Sequence, residues 1–211
     1  NFQGQLSAWA KFAKNKPDAK LYLHTEPTPM YQGLNLPKLC GELGISDKVM
    51  FPDRYEYFIG LPAEYLAYIY NSANVLMAAA MSEGFGIPII EAQACGTPVI
   101  VTNFSAMPEL VRYGEIIDVA TKVWTPLEAF QALPDQNQIQ DALEDNYIEW
   151  LDNDKQKNFE EGFKASQAIH NEYSWDLIVK DYWKPLFENL HSNIFKQTPV
   201  SSPIKAGKVI P

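Results

Sequence analysis

The sequence predicts an α/β fold in which a parallel sheet carries helices on both faces, and three observations support it. Short apolar runs that suit buried strands alternate with longer amphipathic segments that suit helices over residues 6 to 119. Each parallel crossover needs a connecting element and is nearly always right-handed, so this alternation implies parallel pairing. One run, Asn74 to Ala79, leads into a glycine-bearing turn at Gly84 and Gly86 and then into a helix opened by Pro88. Finally, 211 residues with 46% hydrophobic and 20% charged content suffice for one substantial core.

Residues 6–16 have the spacing of an amphipathic helix, with Leu6, Trp9, Ala10, Phe12 and Ala13 inward, the lysines outward and Pro17 as the stop. A strand over 19–24 follows, then a proline-rich loop (Glu26, Pro27, Thr28, Pro29) and a helix over 36–43 closed by Gly44. Residues 49–51 read as a second strand, and Pro62 suits the first turn of a helix over 62–70. A third strand at 74–79 is followed by the glycine turn, a helix over 88–95, a strand over 98–102, a helix over 106–112 and a strand over 115–119. Beyond residue 120 the alternation stops. Residues 122–134 read as an irregular loop, followed by helices over 137–151, 155–170 and 175–190. The expected organisation is one domain over 1–192 and a loosely structured tail over 193–211.

Composition excludes several function classes. A net charge of −9 with only two arginines, Arg54 and Arg112, argues against nucleic acid or an anionic membrane as partner. No apolar run approaches the roughly 20 residues of a bilayer span. Cys40 and Cys95 lack metal-ligand spacing and read as two buried free thiols in a reducing, cytoplasmic setting. The chain opens Asn1-Phe2-Gln3-Gly4 without an initiator Met, which fits a fragment or a processed chain.

The segment from Met81 to Ile100 is the most informative. A buried strand that turns through Gly84 and Gly86 into a helix presents unpaired backbone N–H groups at the carboxyl edge of the sheet, where ligands of open parallel sheets collect. Such a turn can hold a diphosphate without a lysine, at about 1.5–3 kcal/mol for each charge-assisted hydrogen bond. Glu83 and Glu91 would repel the same anion and instead suit hydroxyl donors. A diphosphate between two polyols, a ribose and a hexose, answers to both.

The run Glu83-Gly84-Phe85-Gly86-Ile87-Pro88-Ile89-Ile90-Glu91-Ala92, with Ala94 to Ile100 after it, resembles the E-x7-E signature of the large retaining glycosyltransferase family four. Asn74-Val75-Leu76, Met107-Pro108-Glu109-Leu110-Val111 and Tyr173-Ser174-Trp175 resemble family features in the same order, so the resemblance spans about residues 5 to 190. It implies a Rossmann-like domain, the C-terminal, donor-binding half of a GT-B fold, for metal-independent transfer that retains anomeric configuration. By that resemblance Glu83 is catalytic and contacts the donor hexose, and Glu91 contacts the ribose hydroxyls. Gly84, Phe85, Gly86 and Ile87 supply donor contacts, and Arg54 and Tyr55, in the loop 52–55, hold the base.

The implied donor is a UDP-, GDP- or ADP-sugar, with no cofactor and no metal. The implied partner is an N-terminal acceptor domain, in cis or in trans, which the resemblance places before Asn1 together with an Arg and a Lys that clamp the phosphates. The isolated chain is accordingly expected to bind donor weakly and not to turn it over. The alternative is a non-catalytic nucleotide-sugar-binding or scaffolding module. A dinucleotide oxidoreductase is disfavoured, since no G-x-G-x-x-G follows the first strand.

Other chemistry-bearing residues read as structural. Cys95 suits packing, Arg112 suits the last turn of its helix, and His24, His170 and His191 belong to no constellation. Glu109, near the ligand edge, stays a modest candidate.

Overall fold

The computed structural model describes residues 1–28, 33–151 and 155–196, so Pro29 of the expected loop and the tail from residue 197 lie outside the described residues. Two compact units are present, Asn1–Ile169 and the residues from His170 on.

The first unit opens with α1 (Phe2–Ala13), whose Leu6, Ala8, Trp9, Phe12 and Ala13 are buried. Then come β1 (Leu21–Tyr22), α2 (Leu36–Glu42), β2 (Val49–Met50), α3 (Arg54–Ile59), α4 (Ala63–Ser72), β3 (Leu76–Ala78), α5 (Ile87–Ala94) and β4 (Val99–Thr102). A 3-10 turn (Met107–Leu110) leads to β5 (Gly114–Ile117), β6 (Val119–Trp124), β7 (Phe130–Pro134), α6 (Gln136–Leu151) and α7 (Lys155–Tyr173).

Strands β1 to β5 pair in parallel, flanked by helices as expected, in two ladders rather than one continuous sheet. Leu21 faces Val49 in the first ladder, and the order β3-β4-β5 makes the second, with Ala78 opposite Val101 and Thr102 opposite Ile117. β4 is central and sealed on both faces, all four of its residues lying at 0% exposure, which explains its unbroken apolar sequence.

Local chemistry sets the helix ends. The Asn35 side chain caps α2 by accepting from the Lys38 N–H at 2.9 Å. At the other end Gly44 (φ 68°) closes a left-handed cap in which the Ile45 N–H donates to the Cys40 carbonyl. Gly96 (φ 81°) closes α5 in the same way, with Thr97 N–H donating to the Ala92 carbonyl. Lys48 reaches across from β2 and donates to the carbonyls of Ala13 and Lys16 at 2.6 Å, satisfying the end of α1.

Several expectations are corrected. Residues 122–134 are no irregular loop: β6 and β7 form an antiparallel hairpin, with Trp124 and Phe130 in edge contact at 5.0 Å. The loop expected over 52–55 is the start of a helix, because the Asp53 carboxylate accepts from the N–H groups of Tyr55 and Glu56 and so caps α3. The helix expected over 106–112 shrinks to the 3-10 turn. Lysines face outward at Lys11 and Lys14 but not at Lys16, which lies past the end of α1 and bonds Glu144 of α6 at 2.7 Å beneath the Phe12–Tyr147 ring pair. Cys40 is buried as expected, whereas Cys95 is only half-buried, at the end of α5.

The second unit is helical. After the end of α7 come α8 (Trp175–Ile178), a π turn (Val179–Trp183) and α9 (Lys184–Lys196), so the helix expected over 175–190 carries a π insertion and continues to Lys196. Trp183 and Phe187 stack within it at 5.6 Å.

Two outcomes test this packing. A Cβ on Gly162 of α7 would stand 2.5 Å from the Gly96 carbonyl oxygen, so Gly162→Ala is expected to destabilise the chain by about 1–3 kcal/mol in urea melts. Burial first, then the charges of Asp145 and Glu149, raise the pKa of Glu115 on β5. A carboxyl raised on folding binds more protons in the native state, so it favours folding below the unfolded pKa and that contribution is lost as pH rises through the folded value. Glu115→Gln is expected to raise the melting temperature at pH 7, with the gain shrinking towards pH 4.

Candidate functional site

The turn after β3 lies at the carboxyl edge of the β3-β4-β5 ladder, because β4 and β5 run parallel to β3. Its approach is pinned from three sides. The Ala79 N–H donates to the Gln5 side chain at 3.2 Å, and the Ala79 carbonyl accepts from the Asn1 side chain at 3.0 Å. Thr102, at the end of β4, donates its hydroxyl to the Ala80 carbonyl at 2.6 Å. The Met81 carbonyl accepts from the Ala132 N–H of β7 at 2.9 Å. Ser105, held at a left-handed φ of 54°, accepts the Glu83 N–H on its hydroxyl oxygen at 2.9 Å.

The two glycines of the turn play different parts. Gly86 is buried at φ 103°, and a Cβ there would meet Ile89 Cδ1 at 2.9 Å and Leu110 Cδ1 at 3.3 Å, so its need for glycine is internal. Gly84 is exposed, and a Cβ on it would meet nothing within 4 Å. No packing within the described residues requires glycine at that position. The N–H groups of Gly84, Gly86 and Ile87 have no acceptor among the described residues. Gly86 caps α5 without a side-chain bond, and Pro88 adds no donor, so the first turn of α5 presents its positive end to solvent.

Glu83, just before these amides in the chain, is exposed, and Glu91, further along α5, is half-buried. Glu91 accepts the phenol hydrogen of Tyr70, on α4, at 3.0 Å. Burial, then the Glu91 charge, pushes the Tyr70 pKa well above the ordinary phenol range, so Tyr70 remains a donor. Burial, then the Glu91 charge, likewise raises the Cys95 thiol and favours its protonated form.

The predicted site residues thus fall into two groups. Glu83, Gly84, Phe85, Gly86, Ile87 and Glu91 share one turn and helix, with Phe85 45% and Ile87 56% exposed. Arg54 and Tyr55 stand on α3, where Tyr55 is 71% exposed. Arg54 does not reach the turn: its Nε lies 3.5 Å from Glu26 and its guanidinium sits over Phe58 at 5.7 Å. Glu109 is exposed, and its carbonyl accepts from Arg112, which therefore caps its own turn as expected. His24 accepts or shares a hydrogen with Tyr22 at 3.0 Å and packs against the ring of Tyr57. Among the described residues no group of His, Cys, Asp and Glu is disposed to hold a metal ion. A cavity of about 320 Å³ lined by Asn74, Cys95, Pro98, Tyr113 and Trp150 lies at the amino ends of β3 and β4, the edge opposite the turn, and is separate from the site.

Sequence reasoning missed the groups that hold the turn: Asn1, Gln5, Tyr70, Gln93 and Ser105. Gln93 is wholly buried and fully satisfied, donating to the carbonyls of Ile89 and Leu110 and accepting from the N–H groups of Arg112 and Tyr113. A glutamine inside an apolar helix was the available signal. Replacing Gln93 with Leu removes the partner of the Leu110 carbonyl and of the Arg112 and Tyr113 N–H groups, and is expected to cost about 2–4 kcal/mol in chemical denaturation.

Comparison with known proteins agrees with this architecture. The family model described as "Glycosyl transferases group 1" matches residues 1–164. D-inositol 3-phosphate glycosyltransferase of Mycolicibacterium gilvum is 37% identical over 83 residues, which are 38% of this chain and 17% of that protein. The C-terminal domain of a group 1 family glycosyl transferase, LpcC, from Francisella tularensis matches 82% of this chain and 80% of its own at 18% identity and a TM-score of 0.57. Anabaena HepE, solved in complex with UDP-glucose, matches 90% of this chain and 44% of its own at 17% identity and a TM-score of 0.63. The chain therefore spans well under two thirds of these full-length proteins, and the structural matches establish its fold, the C-terminal half of GT-B.

Proposed function

Because the chain belongs to the group 1 glycosyl transferases, we propose that it is a donor-binding domain that holds a nucleotide-diphosphate sugar for retaining, metal-independent transfer to an acceptor bound elsewhere. The observation that carries this reading is the turn whose N–H groups at Gly84, Gly86 and Ile87 have no acceptor among the described residues, flanked in the chain by Glu83 and Glu91. The amides suit a pyrophosphate, and a helix N-terminus favours its charge. Glu83 takes the donor hexose and Glu91 the ribose hydroxyls, since ionised carboxylates only accept.

Phe85 and Ile87 border the sugar and phosphate, and Arg54 and Tyr55 on α3 take the base. HepE was solved with UDP-glucose, which supports a nucleotide sugar as the ligand class; UDP-, GDP- and ADP-sugars all fit the chemistry. Without a metal, preorganised amides stabilise the leaving diphosphate. The acceptor side belongs to an N-terminal domain in cis or in trans, so the chain alone binds donor weakly and does not turn it over. No helix among the described residues is long and apolar enough to cross a membrane, in keeping with a proposed place in the cytoplasm.

The test uses the contrast between the two glycines. A nucleotide sugar at about 100 times its dissociation constant is expected to add about 2.7 kcal/mol to the stability of the chain. Gly84→Ala meets no protein atom, so it should leave the unliganded stability within about 0.5 kcal/mol and abolish the gain from ligand. Gly86→Ala should destabilise the free chain itself. A Gly84→Ala variant that UDP-, GDP- and ADP-sugars stabilise as fully as they do the parent would sink the reading.

A further inference from the structure

Tyr70 lies on α4, away from the glycine turn, yet its hydroxyl is the only described group that bonds the Glu91 carboxylate. The bond is anchored at both ends of the tyrosine. Its phenol donates to Glu91 Oε2 at 3.0 Å, while its backbone carbonyl accepts the hydroxyl of buried Thr97 at 2.8 Å. Thr97 follows the left-handed cap of α5 at Gly96, so α4 and α5 are tied at two heights, once by Thr97 and once by Glu91.

A glutamate side chain has three rotatable bonds, and half-burial alone does not choose among their settings. A phenol fixed on the neighbouring helix does choose. It takes one lone pair of Oε2 and leaves the other, with both on Oε1, for outside donors. Vicinal ribose hydroxyls are two adjacent donors, and a carboxylate already oriented meets both without the cost of ordering it at that moment. Tyr70 does this while protonated, and its raised pKa keeps it so at neutral pH.

Building on the donor-site reading above, we propose that Tyr70 is a positioning residue that orients Glu91 for ribose and thereby makes the site discriminate ribonucleotides from 2′-deoxyribonucleotides. A purely structural role, in which Tyr70 only joins two helices, predicts a loss of stability with no change in that discrimination.

The experiment titrates UDP, GDP and ADP, each beside its 2′-deoxy counterpart, into the chain and into Tyr70→Phe, Glu91→Gln and the double variant by calorimetry well below their melting temperatures. The parent chain is expected to prefer the best ribonucleotide over its deoxy form by about tenfold, the worth of one hydrogen bond to a charged group. In Tyr70→Phe that ratio falls towards one through weaker ribonucleotide binding, while the deoxy form changes less than twofold. The double variant loses no more of the ratio than Glu91→Gln alone, because Tyr70 acts through Glu91. Tyr68→Phe, on the same helix with its ring 69% exposed, leaves the ratio unchanged. A Tyr70→Phe chain that keeps the parental ratio overturns the role of Tyr70, whatever its stability. A parent chain that binds none of the six nucleotides overturns the donor site itself, and this role with it.

Discussion

The pair of hydrogen bonds on the N–H and carbonyl of Ala79 is the constraint on which the turn after β3 depends. The ladder between β3 and β4 ends at Ala78, and a strand leaving a sheet normally gives its next N–H and carbonyl to water. Here Gln5 and Asn1 of the first helix take both, in place of a further strand. The chain therefore leaves the sheet in one defined direction, and Thr102, Ala132 and Ser105 hold the next few residues on that course. The glycine turn thus follows a segment whose main chain is held at several points.

Much of this was legible in the sequence because the physics is local. An apolar run with a proline at the start of the next helix forces a turn between strand and helix, and the two glycines marked where it would lie. The parallel strands followed from alternation, since each crossover needs a helix to return the chain. What escaped detection was held by long-range polar contacts. Asn1, Gln5 and Gln93 carry no periodic signal, and their partners lie 78, 74 and about 20 residues away. The hairpin over Val119–Trp124 and Phe130–Pro134 escaped because only Ala132 and Pro134 of its strands are buried, so no clear apolar alternation marks it. The cap at Asp53 is a single side chain inside what composition reads as loop.

Charge gives the site its character. The chain has a net charge of −9, and only two of its 17 basic side chains are arginines. Both are engaged within the fold, Arg54 with Glu26 and Phe58, Arg112 with the carbonyls of its own turn. On the donor-site reading, the turn itself acts through main-chain dipoles. They add no net charge, and their direction is set by secondary structure rather than by rotamers. On that reading the field of the turn adds no counter-charge for Glu83 and Glu91 to pair with.

The meeting of α7 with the end of α5 has a mechanical consequence. Gly162 and Gly96 touch main chain to main chain, and Ser166 adds a 2.7 Å hydrogen bond from its hydroxyl to the Ala94 carbonyl one turn along. Side chains between two elements act as cushions, changing rotamer to absorb a small shift. Bare backbone offers no such compliance, so an axial push on α7 would be relayed undamped into the rod that carries Glu91.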